Sequence, residues 1–222
     1  MTGLTLSVAF ALGVSLAAVA DEAPHPTNVL IYTPLPPAPA TPKTYHAVEV
    51  SQGRYLLRNP PSHLSAYVSA NQARYTGDGD VLAAIDLVSL RVDGETVDIA
   101  SNGNSYPMYG DVSLFHTNLT EHYYNTPDGL YENIIIEERV TPRDTKQVAL
   151  TFEVAGNVTP TKRGQAVQMA TATALPMVLI FTYLAADAAG KSLPVKTEVD
   201  GTRYTVTVNT EGAAFPVEID GH

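Results

Sequence analysis

Six histidines, His25, His46, His63, His116, His122 and His222, are the first residues to weigh for chemistry, because histidine titrates near neutral pH and ligates metals. His116 and His122 bracket Glu121, and imidazole beside carboxylate serves both general acid/base catalysis and metal binding. On a single strand, residues six apart share a face but lie about 20 Å apart at roughly 3.3 Å per residue. They meet only if the chain turns at Asn118, so the expectation is surface or interface histidines. Thr76-Gly77-Asp78-Gly79-Asp80 is similar to a short calcium loop, but the full Asp-x-Asp-x-Asp-Gly pattern with a distal Glu is missing. It reads as an acidic turn in which Asp78 or Asp80 caps a following helix. Glu137-Glu138 places its carboxylates on opposite faces of a strand, which rules the pair out as partners in acid/base work.

No Gly-x-Ser-x-Gly elbow, phosphate loop or dinucleotide fingerprint occurs. The chain has no cysteine, which excludes disulfides, thiolate metal sites and cysteine nucleophiles. The expectation is a protein that is not an enzyme and has no cofactor or metal. The net charge of −10 speaks against nucleic acid as a partner, since Lys162-Arg163 is the only adjacent basic pair.

The elements around these residues are strands. Candidates are Tyr45–Val50, Arg54–Arg58, Leu64–Ala70, Leu87–Val92, Thr96–Ala100, Val112–Thr117, Ile134–Thr141, Lys146–Val154, Ala166–Ala172, Met177–Leu184, Val195–Val199, Thr202–Asn209 and Phe215–Ile219. Val148, Leu150, Phe152 and Val154 alternate with Ala149, Thr151 and Glu153, the pattern of an antiparallel strand with one buried face. Asp93-Gly94 and Asp200-Gly201 mark two hairpins with type I′ turns, and the two strings suggest a weak echo of duplication. At most one or two short helices are expected, with Asp80–Leu90 the main candidate and Thr182–Ala189 the other. The continuous apolar run Met177-Val178-Leu179-Ile180-Phe181 must be covered on both faces, by its own domain or at a subunit contact. The fold class read from this pattern is all-β, an antiparallel sandwich of jelly-roll or Greek-key type spanning residues 45–222.

Ahead of that body lie a proline-rich tether at 21–44, with seven of the 16 prolines, and an uncharged segment at 1–20. Within the latter, Leu4, Leu6, Val8, Phe10, Leu12, Val14 and Leu16 alternate with small residues. That is a strand with one apolar face, which must lie in a groove of its own domain or of a neighbour. The ending Ala18-Val19-Ala20 equally suits a signal peptide, although no Lys or Arg precedes the run. As a transmembrane helix the segment is marginal in length and weakened by small polar residues.

Two functional expectations follow. In the first, the chain is a structural subunit, a viral coat protein or surface fibre on a virion or cell exterior. It assembles with copies of itself through the N-terminal strand, and loop tyrosines Tyr106, Tyr109, Tyr123, Tyr124 and Tyr131 make lateral contacts. The alternative is a secreted or periplasmic binding domain for a glycan or protein, residues 1–20 being removed. Asn118 and Asn157 head N-glycosylation sequons in either case.

Overall fold

The computed structural model describes residues 43–70, 72–77, 80–137, 144–171 and 178–221. Among them the all-β expectation holds: strands dominate and no α-helix occurs. In chain order, β1 (Val48–Ser51), β2 (Arg54–Asn59), β3 (Leu64–Ser69), β4 (Gln72–Gly77) and β5 (Asp80–Val92) form one meander, and β6 (Glu95–Val97) folds back on the end of β5. A second meander holds β7 (Ser101–Met108), β8 (Asp111–His116), β9 (Leu119–Thr126) and β10 (Gly129–Ile136). β11 (Gln147–Gly156) leads to a third, β12 (Val158–Arg163), β13 (Ala166–Thr171) and β14 (Val178–Asp187). The short β15 (Ser192–Leu193), the hairpin β16 (Val195–Asp200) and β17 (Arg203–Asn209), and β18 (Val217–Gly221) complete the chain.

These strands make two antiparallel sheets packed face to face. The first runs β1-β2-β3-β4-β5-β11-β17-β16 with β6 beside β5. The second runs β12-β13-β14-β18-β10-β9-β8-β7 with β15 beside β14. Alternation explains the packing. Val148, Leu150, Phe152 and Val154 of β11 and Tyr204, Val206 and Val208 of β17 point inward from the first sheet. Ile134 and Ile136 of β10, Val217 and Ile219 of β18, and Leu179 and Phe181 of β14 meet them from the second. Each such fully buried aliphatic side chain contributes about 1.5–3 kcal/mol relative to exposure. Sheet edges are blunted by Pro160, Lys162 and Arg163 on β12, by Lys196 on β16 and by a register break between Ser101 and Ser105 on β7.

Several expectations are corrected. Asp80–Leu90 is not a helix but most of β5, paired on one side with β4 and on the other with β11. Its Ala83-Ala84 pair favours a helix locally, yet ladders on both flanks decide the outcome. Asp80 therefore opens a strand opposite Gly77 and caps nothing, and Asp78 lies outside the described residues. Thr182–Ala189 is likewise strand as far as Asp187. There the Asp187 carboxylate accepts backbone amides of Ala189 (3.0 Å), Lys191 (2.9 Å) and Ala214 (3.1 Å), which turns the chain. The sequence reading missed β4, β7, β9, β12 and β15. The part of Ile134–Thr141 beyond Glu137 lies outside the described residues, as do the segment 1–20 and the tether up to residue 42.

Of the two marked hairpins, Asp93-Gly94 has φ of 49° and 89°, the I′ geometry expected. Asp93 Oδ1 also accepts the amides of Lys146 (3.0 Å) and Gln147 (2.9 Å), tying this turn to the start of β11. The other turn differs from expectation. Asp200 still pairs with Arg203, so Gly201-Thr202 are the central residues, and of the two Gly201 alone has positive φ (58°). That is the II′ arrangement, with glycine first.

Candidate functional site

The residues best equipped for chemistry lie between the sheets. The chain turns at Thr117-Asn118, and β9 returns along β8 so that His116 and Glu121 both face inward. His116 Nε2 stands 3.2 Å from Glu121 Oε2, and His116 Nδ1 is buried without a hydrogen-bond partner. Across the β9–β10 ladder Tyr123 faces Glu132, and its hydroxyl donates to Glu132 Oε1 at 2.9 Å. Tyr75 of β4 reaches the same region from the opposite sheet and lies within the electrostatic influence of both glutamates. An aromatic layer continues from there. Tyr75 and Phe181 meet edge to face at 5.8 Å, Phe152 stacks on Tyr204 at 4.7 Å, and the Tyr183 and Tyr204 hydroxyls are 2.9 Å apart.

Burial and the neighbouring Glu121 carboxylate push the Glu132 carboxyl up to about 8, against the pull of the Tyr123 hydroxyl. Glu132 is therefore a neutral acid at physiological pH. Burial, reinforced by these glutamates, also raises the phenols of Tyr75 and Tyr123. A perturbed acid beside a carboxylate and an imidazole is a common mark of a catalytic centre. Access is what this cluster lacks, because Glu121 is 1 % and Glu132 6 % exposed. The two hydrogen-bonded pairs, His116 with Glu121 and Tyr123 with Glu132, thus form a buried polar cluster in the core. The expectation of a surface or interface His116 is thus overturned. His122 sits on the other face of β9 and never meets it.

The outer face of the second sheet carries a different group. Cross-strand pairing sets Ser113, His122, Asn133 and Asp220 in one row, and Asp111, Tyr124 and Tyr131 in the next. His122 and Tyr124 rings lie 4.2 Å apart. Burial lowers the His122 imidazole to about 4 and raises the Asp111 carboxyl to about 6. Burial and the Glu218 carboxylate raise the Tyr124 phenol. Among the described residues no three His, Asp or Glu side chains are arranged to hold a metal ion. The Thr76–Asp80 stretch is the β4–β5 hairpin, with 78 and 79 outside the described residues.

The expected loop tyrosines divide. Tyr106 and Tyr109, on and after β7, are well exposed. Tyr123 belongs to the core, which corrects its assignment as an interface residue, and Tyr124 and Tyr131 lie half-buried on the outer face. Asn118 donates its side-chain amide to Asp98 O at 2.7 Å, while Asn157 is exposed in a bend. Leu4, Leu6, Val8, Phe10, Leu12, Val14 and Leu16 lie outside the described residues. Sequence reasoning overlooked Glu132, although Leu130, Glu132, Ile134 and Ile136 alternate and so place it inward. It also overlooked a clasp of two buried amides. Asn125 donates to Arg58 O (2.7 Å) and Tyr45 O (2.9 Å), and accepts from Asn59 Nδ2 (3.0 Å).

Apolar side chains remain outside. Val178, Ile180 and Leu184 project from the outer face of β14, and Ile180 and Leu184 are 55 % and 56 % exposed. Tyr106, Met108 and Tyr109 form a second exposed group at the β7–β8 hairpin. No helix among the described residues is long and apolar enough to cross a membrane. Comparison with protein-family models and with curated proteins finds no match.

Proposed function

We propose that this chain is a non-enzymatic structural subunit that assembles with copies of itself, as a virion coat or an extracellular fibre. The observation that carries the reading is the outer face of β14. Ile180 and Leu184 stand in the interior of a sheet with more than half their surface in water, and such a row marks a contact surface. The buried cluster supports the same reading, since the most reactive side chains are committed to the core. In this proposal the alternating segment Leu4 to Leu16 adds to a neighbouring subunit and the proline tether sets its reach.

The test is sedimentation velocity and electron microscopy on the full chain, with intact mass to define its first residue. The expected result is a chain retaining Met1 that forms oligomers, and dissociation of those oligomers by Leu6→Asp with Phe10→Asp while circular dichroism stays β-type. A monomer at all concentrations overturns the assembly reading, and a native chain starting at Asp21 overturns the donor strand. A second reading rests on the exposed Tyr106 and Tyr109: a secreted domain that stacks a glycan on these rings. Glycan binding by a monomer, lost in Tyr106→Ala with Tyr109→Ala, would favour it.

A further inference from the structure

The outer surface from β12 to β18 is graded in charge and size. Arg163 on β12 pairs with Ala166 on β13, which pairs with Thr182 on β14. Gln168 lies beside Ile180, and Ala170 beside Val178. On the other flank of β14, Leu184 pairs with Asp220 and Ala186 with Glu218 of β18. The surface therefore passes from a cation, through small residues and an apolar ridge, to two carboxylates. Alternation turns Arg163 to this outer face. Lys162 points the other way, where it acts on Glu198 of the first sheet. Among the described residues Arg163 makes no ion pair.

We infer that this face binds the same face of a second copy through a two-fold axis running along β14. The inference rests on the assembly reading above and names its contact. A rotation about that axis sets β14 over β14, so that Val178, Ile180 and Leu184 cover one another. It also carries the acidic β18 flank of each copy over the β12–β13 flank of the other, where cation and alanines lie. Asp220 and the partner's Arg163 then sit about 5 Å apart across the strands and about 7 Å along them at the usual spacings, within the reach of an arginine side chain. The opposite operation, an axis across the strands, would set carboxylate over carboxylate. Charge thus selects one of the two ways of pairing the ridge. Four strands at about 4.8 Å and a ten-residue β14 of about 33 Å bound a footprint of at most about 600 Å² before side-chain relief. That approaches the roughly 800 Å² per partner of a stable interface.

The experiment measures the dissociation constant of the full chain by analytical ultracentrifugation. Ile180→Asp with Leu184→Asp is expected to weaken the dimer step at least about 100-fold, and the milder Ile180→Thr with Leu184→Thr, which keeps strand propensity, about 10-fold. Arg163→Glu and Asp220→Lys each weaken it about 10-fold, and the two together in one chain restore it to within about 3-fold of the starting value. A protein monomeric at all concentrations overturns the assembly reading and this face with it. An oligomer unmoved by the threonine pair, or charge reversals that add rather than cancel, overturns this face alone and leaves assembly standing.

Discussion

Glu132→Gln tests whether the core holds a protonated carboxyl. The folded Glu132 titrates at about 8 against an ordinary 4.5, so across that window the folded chain keeps a proton that the unfolded chain has released. Stability must fall as pH rises through the window and level off above it. About 3.5 pH units at 1.36 kcal/mol each correspond to about 5 kcal/mol in all, of which about 1.4 kcal/mol is still to be lost above pH 7. Glutamine matches the neutral acid in shape, and its Oε1 can still accept the Tyr123 hydroxyl that now lies 2.9 Å from Glu132 Oε1. The variant should therefore unfold near the parent's urea midpoint at pH 5 and gain on it steadily, by about 4 kcal/mol at pH 9. Urea titrations followed by far-UV circular dichroism and tyrosine fluorescence, at one protein concentration, measure the difference directly. The chain has no tryptophan to mask that fluorescence. Parallel pH dependences for parent and variant would refute the protonated core acid.

Two further outcomes follow from the core. Tyr183→Phe or Tyr204→Phe alone leaves a buried hydroxyl unpaired and should cost about 1–2 kcal/mol by urea unfolding. The double change should cost less than the two singles summed, because both partners of the 2.9 Å contact leave together. Gly156→Ala should cost about 3 kcal/mol or more, since φ is +117° and the new Cβ would lie 2.7 Å from the Leu82 carbonyl oxygen. Gly94→Asn, in an open turn with nothing within 4 Å, should cost about 1 kcal/mol or less.

Where burial is one-sided, the sequence was readable. β11 alternates cleanly, and Val148, Leu150, Phe152 and Val154, the face that the pattern assigns inward, are the ones the core buries. β5 was misread because its Ala83-Ala84-Ile85 segment is helical in local preference and is held extended by two neighbours, Gly156 opposite Ala83 and Tyr75 on the other side. Such pairing is non-local and has no trace within the segment itself. The apolar run at 177–181 is expected to be covered on both faces, by its own domain or at a subunit contact, whereas among the described residues only one face is covered. Leu179 and Phe181 enter the core, while Val178 and Ile180 face outward.

β9 shows why the buried cluster was the hardest feature to see and what it contributes. Its inward side chains are Leu119, Glu121, Tyr123 and Asn125, and its outward ones Thr120, His122, Tyr124 and Thr126. Neither set is distinctly apolar, so hydrophobic pattern alone barely states which face belongs inside. A slip of one residue would exchange the two sets. The inward polar groups remove that freedom, because each meets its partners at one register only. Glu121 meets His116, Tyr123 meets Glu132, and Asn125 meets Asn59 and the Arg58 carbonyl. After a slip these groups would turn outward, and their partners His116 and Glu132 would stay buried without them, at about 1–3 kcal/mol apiece. Apolar replacements could stabilise β9 as well as the cluster does, but they would not tell its two faces apart. The buried acids are thus best understood as register marks on a strand too polar to align itself.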